Sequence, residues 1–273
     1  MSASGPNNAK RRRWWLFVSP LIVLWLLLFA AGIGSAVVQS LFGAVPGLDG
    51  RQTGEGLLWA YEEMVHSPGF NQSVGHTLAV SGIAAVLSTA IGTGFAYLIW
   101  RSPPRVVALT RVYRVPIILP HIVVAFLVLL ILGQRGVVAE IVAATAGIPV
   151  SDLGFPDLIY NRFGTGMVVA YVYKEFPFVV LLVLGALQQV SPKYVATARQ
   201  LGSRELRTFA TVIVPQIVPT IVQAFAIVFL YGFGAFEIPY LLGSSNPQMI
   251  PVFVFNTYFH RPLSDRPMAM AVL

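Results

Sequence analysis

Charged residues are scarce in this chain of 273 residues, of which Lys, Arg, Asp and Glu make up 11%, against roughly 25% in ordinary soluble domains. Cysteine is absent altogether, which excludes disulfides and thiolate metal sites. The chain also lacks a G-x-x-x-x-G-K-[ST] phosphate-binding loop, since the glycines at 82, 92 and 94 lie inside an apolar run. The sequence therefore carries no signature of an ATPase or of a thiol enzyme.

Catalytic and metal-binding patterns are scarce as well. The four histidines, at positions 66, 76, 121 and 260, show none of the spacings of metal-ligand sets. No serine–histidine–acid set and no pair of carboxylates stands out along the chain. We therefore predict that the protein is not an enzyme and holds no cofactor or metal of its own.

Long apolar runs are abundant instead. Five of them exceed the roughly 20 residues that a helix needs to cross a bilayer core. They lie at 14–42, 76–100, 106–133, 163–187 and 210–243. None shows the ten-residue alternation of a membrane β-barrel, and the first is too long for a signal peptide. The sequence therefore predicts an all-α, polytopic transmembrane helix bundle.

The basic residues predict how this bundle is oriented. With the basic amino terminus, residues 1–13, in the cytoplasm, twelve of the 18 basic residues fall on the cytoplasmic side. These are Lys10, Arg11, Arg12, Arg13, Arg101, Arg105, Arg111, Arg114, Lys193, Arg199, Arg204 and Arg207. The positive-inside rule favours this orientation. The net charge of +7 then reflects topology, and we expect no nucleic-acid partner.

A helix–glycine–helix element lies on the predicted cytoplasmic side, between the fourth and fifth apolar runs. Ser191 precedes Pro192, as at the start of a helix. Gly202 stands where a left-handed C-terminal cap is expected. Ser203 is the expected cap of a second short helix, with Glu205 near its positive end. Two capped helices that meet at a glycine predict a rigid projection.

This element resembles the EAA loop of binding-protein-dependent ABC importer permeases, whose pattern is roughly E-A-A-x-x-x-G, about nine residues, then I-x-L-P. The positions that match are Ala198, Gly202, Ile213 and Pro215. Ala196 stands where the family usually has glutamate, and Thr197 stands where it usually has alanine. The early proline at 20, the RSPPR turn at 101–105 and the prolines at 116 and 120 also look like this family.

The resemblance implies a type I ABC importer permease (MetI-like) fold with six spans. Only residues 267–273 remain for the sixth span, so we expect the sequence to be truncated there. The domain division that follows is a cytoplasmic basic terminus at 1–13 and a transmembrane permease domain at 14–273. Residues 188–209 form its cytoplasmic loop, which is called the coupling segment below.

The resemblance also implies partners and a place for the protein. These are a second permease subunit in a homo- or heterodimer, two cytoplasmic ATP-binding subunits that hold ATP and Mg, and an extracytoplasmic substrate-binding protein. The chain would be a multi-pass protein of the bacterial inner membrane, and its coupling segment would contact an ATP-binding subunit. The residues assigned to that contact are Ala196, Thr197, Ala198, Gly202, Ser203, Arg204, Leu206 and Phe209.

Ionisable residues inside the apolar runs mark a candidate translocation path. Charge within a membrane is costly and usually faces the bundle interior or water. Nearby prolines and glycines can open the backbone, as transporter sites often require. A structural ion pair or a side chain that snorkels to the interface is the alternative. The residues assigned to the path are Lys174, Glu175, Tyr231, Phe236, Glu237 and Tyr240.

The substrate is inferred from the same resemblance. The fourth and fifth runs look most like permeases of the polyamine, thiamine and iron group. The coupling segment also lacks the aspartate that sugar importers often have before the glycine. An acidic and aromatic path suits a cation, so we expect spermidine or putrescine. The alternatives are thiamine, iron or sugar, or a secondary ion-coupled transporter, which would call for an internal repeat that is not evident.

Overall fold

The structure is a computed structural model that describes residues 7–43, 57–103, 107 and 110–273. The described residues form helices joined by turns and by one longer connection at 147–164, with no strand among them, as predicted for an all-α protein. Residues 1–6 of the predicted cytoplasmic terminus, the outer residues 44–56 and Arg105 lie outside the described part. The chain forms two compact units, one of residues up to Ser67 together with Val254–Leu273, and one of Pro68–Phe253.

The first unit contains α1 (Asn7–Phe42), α2 (Trp59–His66) and α13 (Arg266–Val272). Helix α13 packs against both of the others. The Ser40 Oγ and the Tyr61 hydroxyl, 3.0 Å apart, join α1 to α2. Within α1, the 25 residues Val18–Phe42 are long and apolar enough to cross a membrane.

The second unit contains the remaining helices. In chain order they are α3 (Pro68–Arg101), α4 (Val115–Ile118), α5 (His121–Leu132), α6 (Val137–Ala146), α7 (Thr165–Leu187), α8 (Pro192–Gln200), α9 (Glu205–Thr208), α10 (Val214–Gly234), α11 (Glu237–Leu242) and α12 (Ile250–Phe259). A 3-10 segment (Thr110–Arg114) precedes α4, and a π-helical segment (Phe209–Ile213) joins α9 to α10. Helix α12 continues beyond Phe253 into the first unit.

Among the described residues, five helical stretches are long and apolar enough to span a membrane. They are Val18–Phe42, Pro68–Arg101, His121–Ala146, Thr165–Leu187 and Glu205–Gly234. The third differs from the predicted run at 106–133, because Pro120 has no N–H to continue a helix and the chain restarts at His121. The fifth is shorter than the predicted 210–243, because extended backbone at Ala235 ends it before α11.

Helices α3 and α7 form the centre of the second unit, and α10 packs against both. Small residues at Ser81, Ala85, Ser88, Gly92 and Ala96 are buried along α3. This confirms that they serve close helix packing. At Gly92 the approach is closest, since an added Cβ would lie 2.6 Å from the Cβ of Val179 on α7.

Two buried apolar clusters lie along this helix core. One contains Val80, Met167, Tyr171 and Ile238, and it surrounds the start of α7 together with α5 and α11. The other contains Ala96, Val183, Leu187, Ile213 and Ile217, at the end of the unit that carries the coupling segment. The first cluster lies near the polar residues of α5, α7 and α11, and the second lies near the coupling segment.

Candidate functional site: a projecting coupling segment and an intramembrane polar cluster

The coupling segment has the predicted helix–glycine–helix shape. Helix α8 ends at a left-handed Gly202 with φ of +78°. The N–H of Ser203 donates to the Ala198 carbonyl at 3.0 Å and the N–H of Gly202 donates to the Arg199 carbonyl, which closes the end of α8. The left-handed position of Gly202 is therefore confirmed.

The predicted serine caps are wrong in detail. Ser191 stands at the start of α8, but its side chain makes no capping hydrogen bond. Arg204, rather than Ser203, precedes α9. The Ser203 hydroxyl instead accepts a hydrogen bond from the Thr208 hydroxyl at 3.0 Å. The reason is the tight turn at Gly202, which points Ser203 back toward the base of the segment.

Apolar side chains project from this segment. Leu201 and Leu206 are 83% and 82% exposed, and Tyr194 is also exposed. Phe209 differs from Leu206, although the sequence predicts both as anchors for a partner. Its ring packs against Tyr97 of α3 with the ring centroids 4.2 Å apart, so it belongs to the bundle core.

The other assigned residues of the segment also differ in their surroundings. Thr197 is exposed and its hydroxyl donates to the Lys193 carbonyl at 3.0 Å, while Ala198 is half-buried. Arg204 is exposed on the tip. Ala196 is exposed and lines a cavity of about 500 Å³ between the segment and the end of α3.

An ion pair crosses this cavity. Arg101, the last residue of α3, holds Glu205 through both guanidinium nitrogens, with Nη1 2.6 Å from Oε2. The Arg101 guanidinium also lies over the Tyr97 ring, 5.6 Å from its centroid. In the sequence, Arg101 contributes only to the predicted orientation of the chain in the membrane. No local sequence pattern predicts that it pairs with a residue 104 positions away.

Lys174 is buried within the bundle and points at backbone. Its Nζ donates to the carbonyls of Pro116, Ile117 and Leu119 at 2.8, 3.0 and 2.6 Å. These carbonyls lie just before Pro120, which lacks the N–H that would pair with the Pro116 carbonyl in a continuous helix. The three ammonium hydrogens are thus matched by three carbonyls, so Lys174 stabilises the helix break just before the third span.

Glu175 has a different neighbour. Its Oε1 lies 3.4 Å from Nε2 of His121, the first residue of α5. The His121 ring lies against Tyr231 of α10, with centroids 4.9 Å apart. The charges of Glu175 and Glu237 both act on the Tyr231 hydroxyl. Four helices, α5, α7, α10 and α11, thus contribute His121, Glu175, Tyr231 and Glu237 to one region, which is called the polar cluster below.

Of the six residues assigned to the path, Glu175, Tyr231 and Glu237 belong to the polar cluster. Phe236 and Tyr240 stack on each other, with centroids 5.0 Å apart, at the break between α10 and α11. Lys174 is directed away, toward the carbonyls before Pro120. His121 is the member that sequence reasoning missed, because a lone histidine has no spacing to a partner 54 residues away.

Comparisons with known proteins add to this geometry. Residues 88–273 match the family described as "Binding-protein-dependent transport system inner membrane component". The molybdenum transport system permease protein of Escherichia coli is 31% identical over 173 residues, which cover 60% of this chain and 68% of that protein. The spermidine/putrescine transport system permease protein of Haemophilus influenzae is 26% identical over 193 residues, with 67% and 63% covered.

Another relative is much longer. The ferric transport system permease protein of Actinobacillus pleuropneumoniae is 27% identical over 173 residues, covering 63% of this chain but only 24% of that protein. This chain thus spans about a quarter of that relative.

Among solved structures, a bacterial ABC transporter involved in the import of the acidic polysaccharide alginate aligns with a TM-score of 0.73 at 20% identity. The alignment covers 97% of this chain and 90% of that one, and it shows the fold. The family match covers most of the chain, and the helix bundle agrees with it. The chain therefore belongs to the family of binding-protein-dependent transport system inner membrane components, with the MetI-like permease fold.

Proposed function

We propose that this chain is a transmembrane permease subunit of an ATP-driven ABC importer. In this proposal it forms part of the substrate path and works with a second permease subunit. Two cytoplasmic ATP-binding subunits hold ATP and Mg, and an extracytoplasmic binding protein delivers the substrate. The observation that carries the proposal is the coupling segment. It is a projection closed at Gly202, and its apolar side chains are exposed rather than packed into the bundle.

The chemistry of the segment fits a protein partner. Tyr194, Leu201 and Leu206 offer apolar anchors of the kind that a helix places into a groove. Lys193, Arg204 and nearby arginines make the surroundings basic, so the groove should carry carboxylates at its rim. Force on the segment passes into α10 through the π-helical segment Phe209–Ile213.

The test is assembly with an ATP-binding subunit, probed at Gly202. We expect Gly202→Val to reduce co-purification and substrate-stimulated ATP hydrolysis at least fivefold, because a branched residue resists a positive φ. Gly147 is a matched control, since it also has a positive φ and open space around it. Gly147→Val should carry similar local strain and leave assembly intact. Equal effects of the two variants would contradict the coupling role.

We further propose a cationic substrate, with spermidine or putrescine as the leading candidate. The support is the polar cluster, which contains two carboxylates and an aromatic hydroxyl, while the Lys174 ammonium donates to backbone carbonyls elsewhere. Such a site favours a cation by charge and by contact with aromatic faces. Molybdenum, sulfate and ferric systems are named among the relatives, so the charge of the substrate is the question to test.

Uptake into proteoliposomes that contain the complete transporter decides this question. Radiolabelled spermidine, ferric iron, sulfate and molybdate are compared in parallel. The proposal is supported if the transporter takes up spermidine and Glu175→Gln lowers this uptake at least tenfold. It is refuted if the transporter takes up an anion and Glu175→Gln leaves that uptake unchanged. Uptake driven by a proton gradient without any ATP-binding subunit would favour a secondary transporter instead.

We also propose a bacterial inner-membrane location with the amino terminus in the cytoplasm. The support is the basic bias of the predicted cytoplasmic segments. Because the chain has no cysteine, single introduced cysteines report topology without background. Tyr194→Cys should react with a membrane-impermeant maleimide only after cells are opened, whereas Tyr160→Cys should react in intact spheroplasts. The reverse result would contradict the orientation.

A further inference from the structure

The ion pair between Arg101 and Glu205 is the feature that the proposed function leaves unexplained. It joins α3 to the start of α9 across 104 positions of sequence. Both oxygens of the carboxylate face both terminal nitrogens of the guanidinium, a geometry that fixes orientation as well as distance. A pair of this kind holds two elements at a set angle.

Neighbouring contacts reinforce the same junction. The Arg101 guanidinium lies over the Tyr97 ring, and the Tyr97 ring in turn packs against Phe209. Arg101 Nη1 also lies 3.5 Å from the Tyr97 hydroxyl. The end of α3 therefore contacts the coupling segment at Glu205 and again at Phe209.

The cavity at this junction places Glu205 among basic residues. Ala196, Arg199 and Glu205 line it together with Arg101. Glu205 is the sole carboxylate among the residues that line the cavity, so it is the one partner that the cavity offers to the Arg101 guanidinium.

We propose that the pair of Glu205 with Arg101 makes the coupling segment and α3 move as one body. This pair is called the latch below. The proposal rests on the proposed function, because the motion it transmits is the one that an ATP-binding subunit would impose. Glu205 is thus a positioning residue that acts through α3.

Stability alone does not account for the latch. The side chains of Arg101 and Glu205 are 34% and 59% exposed, and exposed ion pairs contribute little to folding stability. The latch acts through geometry, since α3 packs against α7. A displacement of the segment that is passed to α3 therefore reaches the helix that carries Glu175.

The first test needs no partner. Spin labels at Leu98→Cys on α3 and Leu201→Cys on the segment report their separation, and the parent chain has no cysteine to mask. We expect Glu205→Gln and Arg101→Gln each to broaden the distance distribution at least twofold. Arg101→Lys, which keeps the charge but loses the two-nitrogen geometry, should broaden it as well. Glu140→Gln, which removes an exposed carboxylate elsewhere, should not.

A rescue variant sharpens the test. The charge-swapped pair Arg101→Glu with Glu205→Arg should restore a narrow distribution. An unchanged distribution in both single variants overturns the latch.

The second test uses the complete transporter in proteoliposomes. In transporters purified as assembled complexes, Glu205→Gln should raise the ATP hydrolysed per substrate transported at least threefold while the thermal midpoint stays unchanged. The charge swap should restore the ratio, and an unchanged ratio in Glu205→Gln overturns the coupling role of the latch. If the parent chain binds no ATP-binding subunit, the proposed function fails, whereas the spin-label test still decides the latch by itself.

Discussion

Replacing Gly92 by alanine tests the close approach of α3 to α7 in the second unit. An added Cβ would lie 2.6 Å from the Val179 Cβ and 2.9 Å from the Phe176 carbonyl oxygen, against 3.4–4 Å for ordinary contact. The helices α3 and α7 would have to separate by about 0.8 Å, the difference between 3.4 and 2.6 Å. One of the two obstacles is backbone, which cannot move aside like a flexible side chain.

Overpacking of this kind typically costs about 1–3 kcal/mol. For a unit of this size that corresponds to a fall in thermal midpoint of roughly 2–12 °C. The assay is thermal unfolding of the detergent-purified chain, followed by tryptophan fluorescence. Gly94→Ala is the matched control, since Gly94 is two residues away on α3 and has nothing within 4 Å of an added Cβ. Equal midpoints for the two variants would refute the packing argument.

Three further predictions concern single side chains. Lys174→Met should destabilise the chain by about 2–5 kcal/mol in the same thermal assay, because three intramembrane hydrogen bonds are lost; an unchanged midpoint would contradict its role at the helix break. Phe209→Ala should lower the midpoint, whereas Leu206→Ala should leave it unchanged and weaken binding of an ATP-binding subunit in pull-down titrations; the opposite assignment would show that Leu206 is the core residue. Glu237→Gln should reduce uptake of a cation at least threefold without changing the midpoint, and wild-type uptake would remove Glu237 from the path.

Much of the coupling segment could be predicted from the sequence. Proline at the start of a helix and glycine at its end act through their own backbones, so Pro192 and Gly202 indicate the shape without any tertiary information. The side-chain partners could not be predicted in the same way. Phe209 packs into the bundle and Ser203 bonds to Thr208, because both depend on where the end of α3 lies.

The polar residues within the spans show the same division. Because Lys174 and Glu175 lie within an apolar run, the sequence indicates that their charges are costly to place in a membrane. Both side chains have polar partners within the bundle. Adjacent residues on a helix point in different directions, however. Lys174 therefore meets the carbonyls before Pro120 while Glu175 meets His121, and only the packing of α5 against α7 reveals which residue does which.

By itself the sequence determined the class of the protein, the number of long apolar helices and the turn at Gly202, because these depend on composition, run length and local backbone preference. The tertiary structure alone decided which polar groups meet. Helices in a membrane are each complete in their backbone hydrogen bonds, so their mutual arrangement is set by small contacts such as Gly92 against Val179. That arrangement brings Arg101 to Glu205 and His121 to Glu175, pairs that no local pattern in the chain connects.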